Sequence, residues 1–380
     1  PLDKTPLSWN DTGKICMQSQ MSATWTSSMG VVTIKNGTVS GPAKIAVVQV
    51  GNTLYPVATS PTNYGIAPSQ LYFFNALEAI DMEGEWCCDD EDGRVYFYPP
   101  KGMLKSGDTV SFSNDTIETI LDFNNSSDIV IDGISFEQGR NTIGMKNCRN
   151  IIIQNCTFNA ITSTALSLYN CYKCGVINSD FNNSNSAVSI SADTVKWENL
   201  DFGRNFVQNC HSVGTAFVTI NNASGNIISH NLVENTSGSA LSIWHGSENI
   251  FEYNEVRSAS LVGNEGGVVY INGHVDSLYN HIRYNYIHDN RPLNTYFDKG
   301  PAVLCDDMED GVYIYGNIFQ NQKIGISYNC GDNNMCENNV FINCKIGIDD
   351  ISTMYGGYGT FMGMKRSNTE KLTDGRMFLY

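Results

Sequence analysis

The sequence predicts an all-β protein: a right-handed parallel β-helix, which is a solenoid of short strands, preceded by a β-rich module. The first observation behind this prediction is an apolar-x-apolar pattern that recurs every 22 to 34 residues and ends at Asn147, Asn170, Ala192, Asn222, His245, Asn272, Asp306, Tyr328 and Asp350. The second is a parallel column at Asn155, Asn178, Asn199, Asn231, Asn254, Asn285, Asn317 and Asn339. The third is that no ten-residue stretch here has a helical period, so the crossovers between parallel strands must be strands and turns. Self-similarity at this period indicates units that bury their apolar faces by stacking.

The chain divides into three parts. Residues 1–118 lack the repeat and contain alternating runs separated by Gly, Pro and Asn, which predict an N-terminal β-rich module packed on the solenoid. Residues 119–350 carry the repeat and predict the β-helix itself. Residues 351–380 lack the repeat, and we expect them to cap the last coil, because an open strand edge recruits other chains.

The polar columns have a structural interpretation. Asparagine amides stacked at a turn can hydrogen-bond from coil to coil, whereas an isolated buried amide costs free energy. Cys148 and Cys171 are one repeat apart, which predicts stacked buried thiols rather than a disulfide framework, although one or two disulfides stay open. Cys171 and Cys174 form a CxxC without a second pair at zinc spacing, so no metal or other cofactor is expected.

Composition narrows the partners. The 380 residues carry a net charge of −16, which argues against nucleic acid and, less strongly, against polyanions unless calcium bridges the charges. No stretch approaches the roughly 18 apolar residues of a membrane span, so no membrane partner is expected. The chain begins at Pro1 without a leader pattern, which favours a processed chain or a piece of a longer one. A neutral ligand fits this composition best.

The candidate site lies where the loops lengthen. Three segments between the two columns are longer than the rest, Asn199–Asn222, Asn254–Asn272 and Asn285–Asp306, and we expect them to rise from one corner of the coil. Solenoids place binding sites beside such insertions. The floor would consist of His245, Asn272, Asp306 and Tyr328 with Trp244 and Asp307 beside them, and the walls would bring His211, Glu265, Asp289, Asp298 and Lys299.

These residue types suit a sugar site, because carboxyl groups transfer protons and an aromatic ring stacks on the apolar face of a pyranose. Each residue also has a structural interpretation. Asp306-Asp307 can simply turn the chain, and His245 can replace an asparagine of the column. Glu265 can be a solvated loop charge, and for His288-Asp289 a structural hydrogen bond is favoured. Trp244 falls on the outward parity of its strand.

Several phrases in this chain resemble right-handed parallel β-helix carbohydrate-active enzymes, most of all glycoside hydrolase family 141. The phrases are FFNALEAIDMEGEWCCDDEDGRVYFYPP (73–100), IVIDGISFE (129–137), EGGVVY (265–270), YNYIHDN (284–290), AVLCDDMEDGVYIYGNIF (302–319) and NCGDNNMCENNVF (329–341). Activities described for that family include α-L-fucosidase and xylanase. The resemblance implies a secreted or cell-surface glycosidase that acts on a neutral plant or host glycan, with an oligo- or polysaccharide as its partner.

The resemblance also implies that an acidic pair from two of these phrases does the chemistry, which here falls on Glu265 and Asp306. The family phrase corresponding to EGGVVY usually carries Asp where this chain has Glu265. Asp307, His245 and Asn272 would then hold substrate hydroxyls, Trp244, Tyr270 or Tyr328 would contact the sugar ring, and Asp298 and His211 would contribute from the walls.

Two other functions stay open. A polysaccharide lyase shares this fold, needs a cationic group beside a uronate carboxylate and sometimes calcium, and would draw on Arg291 and Lys299. A non-catalytic surface or fibre protein could use the solenoid as a rod or a glycan-binding scaffold.

Overall fold

The computed structural model describes residues 15–21, 27–35, 38–40, 45–50, 53–58, 68–74, 77, 80–89, 93–101, 105, 107, 117–193, 203–261, 266–272, 277–290, 300–306, 309–329, 331 and 333–350. The chain forms two compact units, residues 1–111 and 112–380. The predicted capping tail, 351–380, lies outside the described residues. In the described part, no helix is long and apolar enough to cross a bilayer.

The first unit contains short antiparallel strands. They are β1 (Ile15–Met21), β2 (Ser27–Lys35), β3 (Thr38–Ser40), β4 (Ile45–Val50), β5 (Thr53–Ala58), β6 (Pro68–Phe74), β7 (Trp86–Asp89) and β8 (Arg94–Phe97). One sheet has the order β3-β2-β1-β6, while β4 with β5 and β7 with β8 form two-stranded ladders. The alternating runs in the sequence lie at 30–39, 43–50, 71–74 and 95–98, and they overlap β2 with β3, β4, β6 and β8, respectively.

The second unit repeats a coil of three strands, and each coil begins with a strand of the same sheet. The first coils contain β9 (Thr119–Asn124), β10 (Ser127–Asp132), β11 (Ser135–Glu137), β12 (Asn141–Lys146), β13 (Arg149–Gln154), β14 (Thr157–Asn159), β15 (Thr164–Tyr169), β16 (Gly175–Ile177), β17 (Asp180–Asn182), β18 (Ser186–Ser191), β19 (Phe206–Gln208) and β20 (His211–Val213). The middle coils contain β21 (Ala216–Asn221), β22 (Ile227–Ser229), β23 (Leu232–Glu234), β24 (Leu241–Trp244), β25 (Ile250–Glu252), β26 (Glu255–Arg257), β27 (Val269–Asn272), β28 (His281–Arg283) and β29 (Tyr286–His288). The last contain β30 (Pro301–Asp306), β31 (Tyr313–Tyr315), β32 (Ile318–Gln320), β33 (Ile324–Tyr328), β34 (Met335–Glu337), β35 (Val340–Ile342) and β36 (Ile346–Asp350).

These strands form three parallel sheets that run along the solenoid. Sheet 1 has ten strands in the order β36-β33-β30-β27-β24-β21-β18-β15-β12-β9. Sheet 2 has nine strands from β10 to β34, and sheet 3 has nine from β11 to β35. Every pairing between neighbouring coils is parallel, as in β24 with β27 and β27 with β30. The protein is a right-handed parallel β-helix, which confirms the fold predicted from the sequence.

The core is a column of side chains inside the coils. Period-2 alternation sends one parity of every strand inward, and the inward residues of sheet 1 include Val188, Ile243 and Ile271, which are fully buried. Along sheet 3, Phe136, Phe158 and Phe181 stack with ring centroids 5.2 and 4.9 Å apart. Because equivalent residues lie directly above one another, the identity of one coil's side chain determines what the next coil can pack.

Two asparagine ladders run along the turns. At the turn between sheets 2 and 3, the ladder contains Asn231, Asn254, Asn285, Asn317 and Asn339, and each amide donates to the next side-chain oxygen at 2.9–3.0 Å. This ladder confirms the predicted coil-to-coil hydrogen bonding for these five residues. The other ladder, between sheets 1 and 2, contains Asn205, Asn226, Asn249 and Asn280 and ends at the buried Glu309. The two columns predicted from the sequence do not include this ladder, although each of its asparagines directly precedes a strand of sheet 2.

The second predicted column was wrong at its beginning. Asn155 and Asn178 lie one position before the ladder, with φ of 53° and 51°, while the ladder positions in their coils are Cys156 and Ser179. Asn199 lies outside the described residues. Asparagine is favoured both in the left-handed conformation and in an amide ladder, so residue type alone did not separate the two adjacent columns.

We expect Asn254→Ala to lower the free energy of unfolding by about 3 kcal/mol, because buried partners lose their hydrogen bonds. The Asn254 side chain accepts from the Asn231 backbone at 3.0 Å and donates to the Ile228 carbonyl at 3.0 Å. Urea unfolding measures the loss. Asn178→Gly is the control, since glycine tolerates a φ of 51° at this exposed position, and equal losses in the two variants would contradict the ladder's role.

Candidate functional site

The candidate site lies on the outer face of sheet 1, where polar and aromatic side chains of four neighbouring coils come together. We call Trp244, Tyr270, Asn272, Asp306 and Asn329 the Asp306 cluster. Trp244 is paired with Asn272 and Asn272 with Asp306 in the parallel ladder. Neighbouring strands in such a sheet are about 4.8 Å apart. The register therefore places these three outward side chains in one row along the solenoid axis.

The Asp306 carboxylate is held on both oxygens. The Tyr270 hydroxyl donates to Oδ2 at 2.9 Å, and the Asn329 amide donates to Oδ1 at 2.6 Å. Asn272 donates in turn to the Tyr270 hydroxyl oxygen at 2.7 Å. Both oxygens of this carboxyl group act as acceptors, so its orientation is determined by groups on β27 and just after β33. Asp306 is thus the last residue of strand β30, oriented by two side-chain hydrogen bonds, and not the turn residue that the sequence also allowed.

An aromatic platform adjoins this carboxylate. The Trp244 and Tyr270 rings are 5.3 Å apart between centroids and tilted by 56°. Trp244 is 38% exposed, which confirms the prediction that it faces outward. Strand β24 continues into the turn at His245, which is partly exposed and has a φ of 55°. An indole with an exposed surface beside a carboxylate can hold the apolar side of a polyhydroxylated ring.

The first predicted column was correct from Asn147 to His245 and wrong beyond it. The His245 backbone N–H donates to the Asn272 carbonyl, so His245 lies opposite the residue after Asn272, and Asn272 lies opposite Trp244. The prediction aligned the polar residues of successive coils instead of their alternating apolar residues. A shift of one residue along a strand moves a side chain from the inner to the outer face. Asn272 and Asp306 are consequently strand residues of the outer face, whereas His245 is a turn residue.

Tyr328 was placed wrongly in that column as well. It pairs with Cys305, whose side chain points into the core, and it packs against the buried cluster. Burial raises the pKa of the Tyr328 hydroxyl above its ordinary value. The residue that reaches Asp306 is the next one, Asn329, which the sequence analysis did not consider. Aligning the inward apolar residues Val303 and Ile326, which are paired in the structure, would have placed Asn329 opposite Asp306.

His211 lies elsewhere on the solenoid. It belongs to sheet 3, whereas Asp306 belongs to sheet 1, so its predicted place in a wall beside Asp306 is wrong. His211 Nε2 is 2.9 Å from Glu234 Oε1, and Arg257 pairs with the same carboxylate at 2.7 Å. These contacts form a row of ion pairs along sheet 3. Similarly, His288 Nδ1 is 2.8 Å from Asp289, which confirms the favoured structural role of that pair.

The long loops do not all leave one corner. Residues 258–268 and 289–300 connect sheet 3 to sheet 1 on consecutive coils, as predicted, but residues 192–205 connect sheet 1 to sheet 2. The end of the first loop lies tightly on β30: a Cβ at Gly267 would be 2.9 Å from the Leu304 backbone nitrogen. Leu304 faces outward and is only 6% exposed. The described end of this loop therefore contacts the strand that carries Asp306.

Several predicted site residues lie outside the described residues. They are Glu265, Asp298 and Asp307, together with the lyase candidates Arg291 and Lys299. Among the residues that the structure does describe, no three His, Cys, Asp or Glu side chains converge in a way that could hold a metal ion. Cys148 and Cys171 are buried free thiols, as predicted, and so are Cys156, Cys174, Cys210 and Cys305.

A polar groove lies along the turns that lead into sheet 1 on the coils before the Asp306 cluster. Its volume is about 580 Å³, and it is open to solvent. It is lined by Ala160, Ile161, Thr162, Asn183, Ser184, Asn185, Gly214 and Ser237. Thr236, next to Ser237, accepts a backbone hydrogen bond from Leu261 of the loop 258–268. The groove and this loop are therefore neighbours.

Comparison with known proteins gives the fold and little more. No family model and no curated protein matches the sequence. A solved structure described as a glycoside hydrolase aligns with a TM-score of 0.59 and 13% identity, covering 88% of this chain and 68% of the other. An alginate lyase from Paenibacillus sp. str. FPU-7 aligns with a TM-score of 0.37 and 13% identity over 56% of this chain and 72% of its own. A DFA-IIIase from Arthrobacter chlorophenolicus A6 aligns with a TM-score of 0.33 and 11% identity, covering 56% of each chain. The first alignment agrees with the β-helix described above.

We expect the row of ion pairs on sheet 3 to stabilise the folded protein at neutral pH and to lose this effect at acidic pH. The His211 hydrogen bond, and after it the Arg257 pair, hold the pKa of Glu234 below its ordinary value. A lowered carboxyl pKa stabilises the fold above the unfolded-state pKa of about 4.3, and the contribution is lost as the pH falls through the lower folded value. Glu234→Gln should therefore lower the urea midpoint at pH 7, and the difference from the parent should shrink below about pH 4.

The control for this measurement is Glu137→Gln, at an exposed position of the same outward column on the first coil. It should change the midpoint little at either pH. A Glu234→Gln deficit that grows as the pH falls would contradict the assignment.

Proposed function

We propose that this protein is a glycoside hydrolase that cleaves a neutral plant or host glycan on the outer face of sheet 1, in a secreted or cell-surface location. The observation that carries the proposal is the Asp306 carboxylate, held on both oxygens beside the Trp244–Tyr270 platform. A solved glycoside hydrolase with the same fold is consistent with it. The closer assignment, to fucosidase- or xylanase-like members of glycoside hydrolase family 141, rests on the sequence phrases alone.

The mechanism divides the work between two carboxyl groups. Asp306, ionised and oriented by Tyr270 and Asn329, acts as the base on water or as the nucleophile at the anomeric carbon. Glu265 is the proposed acid, which protonates the leaving oxygen. Its support is its place in the chain: it is followed by Gly266 and by Gly267, which lies against β30 at Leu304, two residues before Asp306.

The substrate chemistry follows from the surroundings. The outer row beside Asp306 offers amides and aromatic rings, namely Asn272, Tyr270 and Trp244, and these bind hydroxyls and apolar ring faces. The chain's net charge of −16 disfavours a polyanion. The outer row described here contains no cationic side chain, and the lyase reaction requires a cation beside the substrate carboxylate, so the described residues favour neutral sugars over uronates and hydrolysis over elimination.

We expect Asp306→Asn to lower turnover by about a thousandfold or more, because it removes the base or nucleophile and keeps the side-chain volume. The measurement is a screen of aryl glycosides, xylan, and fucosylated and arabinosylated oligosaccharides, with parent and variant side by side. Asp122→Asn, which changes an exposed aspartate on the outer face of β9, is the control and should turn over like the parent. Equal turnover by parent and Asp306→Asn would overturn the site. Formation of an unsaturated, ultraviolet-absorbing product would favour a lyase instead.

We expect Tyr270→Phe to lower kcat about ten- to hundredfold with a smaller change in KM, because one charge-assisted hydrogen bond to Asp306 is lost. The phenyl ring stays beside Trp244, so substrate contact is retained. Tyr169→Phe is a matched control, since its hydroxyl donates to Asp193 on an earlier coil of the same sheet. A change confined to KM in Tyr270→Phe would mean that the hydroxyl binds substrate and does not position Asp306.

A further inference from the structure

A second concentration of aromatic side chains lies on the outer face and flanking turns of sheet 2, away from the Asp306 cluster on sheet 1. We call it the sheet 2 aromatic surface, and its members are Tyr253, Tyr279, His281, Tyr284, Tyr313 and Tyr315. They belong to three consecutive coils, those of β25, β28 and β31. Tyr253 is 50% exposed and Tyr284 is 45% exposed.

The rings form one connected array. Tyr253 and Tyr284 stack with centroids 5.2 Å apart, and Tyr284 meets Tyr315 edge-on at 5.4 Å. His281 stacks on Tyr313 at 5.0 Å, and Tyr279 stacks on the same ring at 6.0 Å. The array thus extends across the sheet from one turn to the other as well as along the solenoid axis.

Backbone stability does not account for these tyrosines. Tyr253 and Tyr284 have φ of 53° and 56°, in a turn column where other coils carry Asn155, Asn178 and Asn209. Tyr279 has a φ of 62° in the corresponding turn on the other side of sheet 2. The left-handed conformation favours asparagine and glycine and disfavours large side chains. Placing three tyrosines there, two of them half exposed, costs stability, which indicates a function for the surface they form.

The one arginine of the surface is paired, and two exposed carboxylates, Glu248 and Glu337, lie beside its tyrosines. The Arg283 guanidinium donates to Glu252 at 2.6 Å and to the Tyr315 hydroxyl at 2.7 Å, so its charge is neutralised within the surface. Burial, and after it the charge of Arg283, lower the pKa of His281, so its imidazole is uncharged at neutral pH. Phenol rings and hydroxyls flanked by carboxylates, on a protein with a net charge of −16, select against polyanions and for ligands that combine apolar faces with hydroxyl groups.

We propose that the sheet 2 aromatic surface is a second, non-catalytic binding site for a neutral linear polysaccharide. Successive coils repeat about every 4.8 Å along the axis, close to the length of one sugar unit in an extended chain. Three coils of aromatic side chains therefore present a repeat that successive sugars of one polymer can contact. This inference goes beyond the proposed hydrolysis, because it requires no turnover and lies on a different sheet.

The test replaces tyrosine by asparagine, the residue that this turn column carries at Asn155, Asn178 and Asn209. Tyr253→Asn/Tyr284→Asn should fold with an unchanged or higher Tm, because asparagine suits the left-handed turn. Affinity electrophoresis through gels containing arabinoxylan or glucomannan should show binding weakened by about tenfold or more, because two anchoring rings are lost. The Tyr172→Asn variant changes a tyrosine at a turn outside the surface and should bind like the parent. A gel containing polygalacturonate should retard neither protein.

Several outcomes would overturn the proposal. They are equal retardation of the parent and the double variant, no retardation of the parent by either neutral polymer, and stronger retardation by polygalacturonate. Loss of self-association in the double variant by analytical ultracentrifugation, without any change in polymer binding, would mean that the surface binds a second copy of the chain. Running the same gels with Asp306→Asn separates the two proposals: retained binding without hydrolysis supports this surface whatever the outcome for the catalytic site.

Discussion

The structure depends on one constraint: each coil must hydrogen-bond to the next in parallel register. The backbone ladders of three sheets provide most of these bonds, and the asparagine ladders continue them through the turns, where the backbone alone leaves donors and acceptors buried. Once this register exists, every side chain has a defined neighbour above and below. The stacked phenylalanines of sheet 3 and the row Trp244–Asn272–Asp306 on sheet 1 are both consequences of the same alignment.

Register also explains how the candidate site is assembled from distant parts of the chain. Tyr270, Asp306 and Asn329 come from three coils, yet their polar atoms lie within hydrogen-bonding distance because the coils stack directly. The inward neighbours of these residues, such as Ile271 and Cys305, are completely buried and hold the strands in place. The stacked coils therefore determine the orientation of the Asp306 carboxylate.

The same geometry gives the solenoid three outer faces with different chemistry. Sheet 1 carries the Asp306 cluster, sheet 2 carries the aromatic surface with a neutralised arginine, and sheet 3 carries the row of ion pairs that includes His211 and Glu234. Because successive residues of a strand alternate between core and surface, these faces vary without disturbing the core. The outer faces of the same few coils can therefore carry a polar cluster, an aromatic surface and a row of ion pairs.

The sequence by itself determined the fold, because the alternation of apolar residues and the recurrence of turn asparagines are local patterns. Such patterns can be recognised without knowing which residues meet in space. It also identified Asp306, Asn272, Tyr270 and Trp244 as residues of interest. Only the tertiary structure decided which of them meet. The shift between Trp244 and His245, and between Tyr328 and Asn329, is a single residue, but it exchanges the inner and outer faces of a strand. Likewise, the sheet to which His211 belongs depends on how each coil is divided among the three sheets. The repeat period gives the number of residues in a coil, but it does not give the positions of the turns between the sheets.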